Sequence, residues 1–247
     1  GKNDLCITLD DNLRSQVKYG IPILKKHNIK AFFFMYTSVY EKKSYEFEVF
    51  RYFYNTRYSS FESFFNDFLN FLMNTNYKNK INKINKNILL NYLSRYKFYS
   101  NADKYFRYLR DELFSPSEFK KLCNQFMKKK EFNYKSSKIF QKIWITKKEI
   151  KKISDYGHHV GLHSYEHNKN IYKMKYINQM HQYKKNYDDI KKITGISPES
   201  ASYPFNSHNK DSKLILKKLN INHVFLARYK ILVKNNFEIN RLDIKEL

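Results

Sequence analysis

Apolar and polar positions along the chain fall into alternating strand-like and helix-like blocks, interrupted by one long helical stretch. Residues 4–9, DLCITL, form a short apolar run that stops at two carboxylates, the pattern of a buried strand delivering Asp10 and Asp11 at its C-terminal end. The segment VKYGIPILKKHNIK then spaces Val17, Ile21 and Leu24 helically, with Pro22 best suited to a first turn. AFFFMY follows as a second buried strand. The opening is therefore β-α-β, and its chemistry-bearing residues sit where α/β folds carry their sites.

From about Glu41 to Gln141 the pattern changes to aromatic and charged residues at helical spacings, as in FESFFNDFLNFLMN and ILLNYLSRYKFY, with little Gly or Pro. This predicts a mainly helical insertion over 41–139. Within it, SPSEFKKLCNQFMKKK carries a helix start, with Ser115 or Ser117 before Glu118 and Pro116 near the first turn. The asparagine-lysine stretch 77–87 is expected to be a mobile link.

After Ile145 the strand-helix alternation resumes. TKKEIKKISDYG reads as a helix capped by Thr146 with Glu149 three residues on and Gly157 near its end. Val160–Leu162 is a short strand, followed by a loop holding His163 and His167. A long amphipathic helix is expected from Tyr176 to Ile193, closed by Gly195 and Pro198, then a strand in ESASYPF, a helix in DSKLILKKLN and strands in HVFLA and EINRLDI.

The chain has 247 residues and 42% hydrophobic composition, enough for a large domain carrying an insertion. Two cysteines without ligand-like spacing argue against a disulfide framework, and Cys6 reads as a small core residue. No run of about 20 apolar residues and no charged-then-apolar leader is seen, so the expected placement is cytoplasmic or membrane-peripheral. The formal charge of +24 has two readings: solvated lysines in a Lys/Asn/Ile-rich composition, or attraction to a polyanion or membrane surface. The 22 Tyr and 21 Phe likewise serve either as core or as sugar-stacking platforms.

Three segments converge as strand ends in this architecture: LDDN (9–12), HSYEH (163–167) and SYPFN (202–206). Two histidines four apart with a carboxylate from another strand form a facial N,N,O set that binds Zn²⁺ or a similar divalent ion and leaves a position for water. Of two adjacent aspartates, one is free to bind metal while the other takes a proton. That pairing suits hydrolysis at a carbonyl, with an oxyanion held by the metal and a backbone N–H.

These segments resemble the motifs of the polysaccharide deacetylase family, also called the NodB-homology or carbohydrate esterase 4 family. TLDDN (Thr8 to Asn12) is similar to its T-F-D-D-G, HSYEH matches its H-[ST]-x-x-H in full, and YPF (Tyr203 to Phe205) resembles the Y-P-F-G variant of R-x-P-Y. The resemblance covers 3–40 and 140–247 and implies a distorted (β/α) barrel. It also implies Asp10 as catalytic base, Asp11, His163 and His167 as ligands of a divalent metal, Zn²⁺ first and Co²⁺, Ni²⁺ or Mn²⁺ as alternatives, and the Phe205 N–H as oxyanion donor. Ser164 would orient the ligand loop. Asn12, at the family's glycine position, either contacts substrate or accepts a left-handed backbone, and Tyr203 and Pro204 join it as substrate-side residues.

Two departures stand out. Ser202 occupies the place of the arginine that pairs with the catalytic aspartate, and no L-x-H ends the chain, so His208 is the first candidate for the missing acid. The implied activity is metal-dependent removal of an N-acetyl or N-formyl group from an amino sugar of a cell-surface glycan or its lipid-linked precursor. The basic insertion would act as a lid or dock on an anionic membrane surface. A catalytically silent glycan-binding module is the alternative, and nucleic acid is disfavoured because no motif supports it. His158 and His159 read as helix-end or surface residues, His27 as a helix terminus, His181 as exposed and Trp144 as core.

Overall fold

A computed structural model of the chain describes residues 5–41, 46–94, 98–133, 136–227 and 237–242. The chain divides into two compact units, residues 1–45 with 141–247, and residues 46–140. In the first unit six parallel strands form a curled half-barrel. They are β1 (Ile7–Leu9), β2 (Ala31–Met35), β3 (His159–Leu162), β4 (Ser200–Ser202), β5 (His223–Ala227) and β6 (Glu238–Arg241), each paired with the next. Helix α1 (Ile21–Lys26) joins β1 to β2. The second unit holds α2 (Glu46–Arg57), α3 (Phe61–Met73), α4 (Lys78–Asn82), α5 (Lys86–Asn91), α6 (Asn101–Tyr108) and α7 (Pro116–Lys129). After α8 (Ser137–Ile143), helices α9 (Lys147–Asp155), α10 (Tyr176–Thr194) and α11 (Lys210–Lys218) complete the strand-helix alternation. This is the distorted (β/α) barrel that the motifs imply.

Alternation along each strand divides the sheet into two faces. Ala31, Phe33, Met35, Leu162, Ala201, Val224 and Leu226 pack toward the helices in one cluster with Ile150, Ile153, Tyr183, Ile190, Ile215 and Leu216. On the other face Phe32 and Phe34 meet Phe225 at centroid distances of 5.1 and 5.2 Å. Gly161 makes that packing possible, because a Cβ there would lie 2.6 Å from the Ser200 carbonyl oxygen and 2.7 Å from the Phe34 ring.

Local signals explain the helix limits. Thr146 with Glu149 and Ser115 with Glu118 form reciprocal capping boxes, and Gly195 ends α10 at φ 79°. Pro22 sits in the first turn of α1, and the preceding Gln16–Gly20 adopts a π-helical turn that leads into it. In the second unit Phe50, Phe53, Phe64, Phe68, Phe106 and Phe126 are buried against one another, so these aromatics serve as that unit's core.

Three expectations change. Cys6 is exposed, because the described strand begins at Ile7 on the sheet edge, where only β2 pairs with it. The stretch 77–87 is not a loose link: it includes α4, anchored by the buried Ile81, and the start of α5, whose Asn85 caps it through the Asn87 N–H. His158 is buried and its Nδ1 accepts a 3.2 Å hydrogen bond from the Ala31 N–H, whereas His159 is exposed. The end of the expected last strand, Asp243 and Ile244, lies outside the described residues. Among those described, no helix is long and apolar enough to cross a membrane.

Replacing Gly161 with Ala should destabilise the first unit by about 1–3 kcal/mol through overpacking. Thermal unfolding followed by near-UV circular dichroism checks this, and a variant melting like wild type would show that the curl relaxes freely there.

Candidate metal centre

The C-terminal ends of β1, β3 and β4 bring the three motifs together by leaving the sheet in strained conformations. Six non-glycine residues with positive φ lie in these loops: Asp11 (73°), Asn12 (41°), Ser164 (56°), His167 (53°), Phe205 (52°) and Asn206 (56°). Left-handed backbone at non-glycine positions costs free energy and persists only where the surroundings enforce it. At Asp11 it turns the chain so that both adjacent aspartates face His163, which strand alternation alone forbids.

Asp11 Oδ1 lies 3.2 Å from His163 Nε2 and 2.9 Å from His167 Nε2, and one ligand atom from each residue lies within 4.8 Å of the others. The His163 Nδ1 sits 2.8 Å from the Ser202 carbonyl oxygen, so that nitrogen carries the proton and Nε2 of the neutral ring presents a lone pair. Asp11 Oδ1 is buried and makes no directed hydrogen bond. One ligand atom from each of three residues converges here, and the N,N,O donor set fits a borderline divalent metal. Burial favours the neutral acid here, but the two histidines beside it outweigh burial and hold the Asp11 carboxyl well below the usual range. Burial likewise opposes protonation of His163, yet Asp10 and Asp11 push its pKa up; at His167 burial wins and the pKa falls.

Supporting contacts fix the ligands. The His167 N–H donates to the buried Ser164 Oγ over 3.1 Å, and the His167 ring packs against Tyr36 at 5.1 Å and Phe205 at 4.8 Å. Tyr36 in turn accepts from the fully buried Trp144 Nε1 at 2.7 Å, which makes Trp144 a core residue.

Asp10 lies beside this set, with Oδ2 4.0 Å from His163 Nε2. Its partner is Arg241, unmarked in the sequence reading. The guanidinium donates to both Asp10 oxygens at 2.8 Å, to Thr8 Oγ1 at 3.0 Å and to Ser202 Oγ at 2.7 Å, and Ser202 donates to Asp10 at 3.2 Å. The guanidinium on Asp10 thus comes from the end of β6, on the opposite edge of the half-barrel from β1. Burial raises the Asp10 pKa, but His163 and Arg241 outweigh it and leave the pKa below the ordinary carboxylate value. About a quarter to a third of each aspartate side chain is exposed (27% and 32%), so the pair is open to an incoming molecule.

The third segment frames the opening. The Phe205 N–H lies in the first turn of a short 3₁₀ helix, Pro204–Asn206, where amides have no intrahelical acceptor, and its ring is 51% exposed. Tyr203 and Pro204 are buried beneath it. Asn12 is buried, donates through Nδ2 to the Tyr40 hydroxyl at 3.2 Å and leaves Oδ1 without a hydrogen-bond partner. His208 stacks flat on Tyr203 at 4.2 Å, with Nδ1 2.9 Å from the Asn206 carbonyl oxygen and Nε2 3.9 Å from Glu238. Both ring nitrogens therefore face those groups. His27 ends α1 and His181 is exposed on α10.

Residues 116–224 match the family model described as polysaccharide deacetylase, a segment that includes His163, His167 and Tyr203–Phe205 but not Asp10 or Asp11. The Streptococcus pyogenes deacetylase PplD, solved in complex with acetate, is similar to all of this chain (100%) over 66% of its own, at 14% identity and a TM-score of 0.56. The BpsB deacetylase domain from Bordetella bronchiseptica is similar over 95% of this chain and 68% of its own, at 11% identity and a TM-score of 0.50. This chain thus spans about two thirds of the length of those structures. No curated protein is significantly similar in sequence. The family match over residues 116–224 and the fold both make this chain similar to polysaccharide deacetylases.

Arg241 is among the groups that lower the Asp10 pKa, so Arg241→Ala should raise it. If Asp10 is the base, the acid limb of the pH–rate profile for kcat/KM moves to higher pH in that variant. An unshifted limb would exclude the Arg241–Asp10 pair from that titration.

Proposed function

We propose that this protein is a divalent-metal-dependent hydrolase that removes an N-acetyl or N-formyl group from an amino sugar of a cell-surface glycan or its lipid-linked precursor. The observation that carries this reading is the convergence of Asp11, His163 and His167 within 4.8 Å, with Asp10 clamped by Arg241 alongside. Asp11, His163 and His167 would hold a divalent cation, Zn²⁺ in the first place, which when bound would supply Lewis-acid polarisation of the acyl carbonyl and a more acidic attacking water. Asp10 takes the proton of that water on its carboxylate, held in position by Arg241 and Ser202. The Phe205 N–H faces the oxygen on which negative charge develops. Asn12 Oδ1, buried and unpartnered, is an acceptor for a donor of the substrate, and the exposed Phe205 ring offers a flat apolar wall beside it.

The protonated Asp10 is also suited to return its proton to the leaving amine nitrogen, because a carboxyl with a depressed pKa is a strong donor. This assignment rests on His208 facing Asn206 and Glu238. A silent glycan-binding module is less well supported than the sequence implied, since Arg241 fills the role that Ser202 left open. The basic second unit is proposed to dock on an anionic membrane surface, consistent with the chain's formal charge of +24.

Purified protein should release acetate or formate from N-acylated chito-oligosaccharides or lipid-linked amino sugars, with loss of release on chelation and recovery on adding Zn²⁺ or Co²⁺. Asp10→Asn should keep metal and lose activity by about 10²–10⁴-fold. Metal binding without release from any substrate would favour the silent module. His208→Gln should retain at least about a third of wild-type kcat if Asp10 returns the proton; a loss of about 100-fold would instead make His208 the acid.

A further inference from the structure

Helix α10 buries three amide side chains, Gln179, Gln182 and Asn186, spaced three and four residues apart on its inward face. An inward face is ordinarily apolar, and each buried amide costs desolvation unless its partners are all met. Two of the three make their bonds on the segment that carries the histidines. Asn186 Oδ1 accepts from the His163 N–H at 3.0 Å, a proton shared with the Met35 carbonyl at 3.1 Å. Its Nδ2 donates to the same Met35 carbonyl at 3.0 Å and to Thr37 Oγ1 at 3.2 Å. Gln182 Oε1 accepts from the Glu166 N–H at 2.9 Å, and its Nε2 donates to Glu166 Oε2 at 2.9 Å. Gln179 turns elsewhere, donating to the Met174 carbonyl at 2.9 Å and accepting from Ser212 Oγ at 2.6 Å.

We infer that Gln182 and Asn186 are positioning residues that preorganise the metal-ligand loop from helix α10. Asn186 pins the backbone at His163, and Gln182 pins it at the residue before His167. The two residues between these anchors include Ser164 at φ 56°, and the loop closes at His167 at φ 53°, conformations that a free loop leaves readily. Holding both ends keeps the two Nε2 atoms on Asp11 before any cation arrives. Partners that orient metal ligands in this indirect way typically change metal affinity by about 10–100-fold. This inference rests on the proposed metal centre.

The test compares Asn186→Leu, Gln182→Met and Gln179→Met by Co²⁺ affinity, the Co²⁺ visible absorption spectrum and melting of the metal-free protein. Gln179 is the control, equally buried on the same face but bonded away from the loop. Asn186→Leu and Gln182→Met should weaken Co²⁺ binding at least about 10-fold and alter the d–d bands, while Gln179→Met binds Co²⁺ like wild type. If all three variants lose melting temperature alike with affinity and spectrum unchanged, the amides are core packing only and the inference falls. If Asn186→Leu does not fold, Gln182→Met against Gln179→Met decides alone. Wild type that binds no Co²⁺ would overturn the metal centre itself, a result distinct from wild-type binding that the variants leave intact.

Discussion

The site depends on one electrostatic constraint: a carboxylate oxygen is held within contact of two imidazole nitrogens, all three within 4.8 Å of one another. Such an arrangement is repulsive unless a proton or a cation occupies the centre. The Ser202 carbonyl holds the His163 ring so that its Nε2 faces Asp11, and burial of His167 disfavours its charged form. The convergence of these three groups is built into the backbone rather than into any single side chain.

Maintaining that constraint requires strain and support. The strain is visible in left-handed residues at all three strand ends, and the support comes from three directions. Below, the Phe32, Phe34 and Phe225 packing fixes the sheet's curl, with Gly161 leaving room for it. Behind, α10 reaches the ligand loop with amides. Across the opening, Arg241 ties Thr8 and Asp10 of one sheet edge to the other edge, doing with a side chain what a closed barrel would do with a backbone ladder.

The parts legible in advance were those encoded locally. Capping boxes at Thr146 and Ser115, glycine at 195 and short apolar runs before LDDN and HSYEH each follow from neighbouring residues. The opaque parts depend on distant ones. Cys6 sits in an apolar run that reads as core, yet an edge position exposes it. Asn and Lys between 77 and 87 read as loose, yet Ile81 finds a buried place. Gln182 and Asn186 read as ordinary polar positions on an amphipathic helix, since nothing local says that the inward face meets backbone groups instead of apolar side chains.

By itself the sequence determined the order of strands and helices, the three motifs and the donor types at Asp10, Asp11, His163 and His167, because hydrophobic period and side-chain chemistry are properties of short segments. Only the tertiary structure decided which arginine serves Asp10, where His208 points and what holds the ligand loop. Residues 10 and 241 stand at opposite ends of the chain and meet because the sheet curls, a geometry set by the packing of all six strands at once.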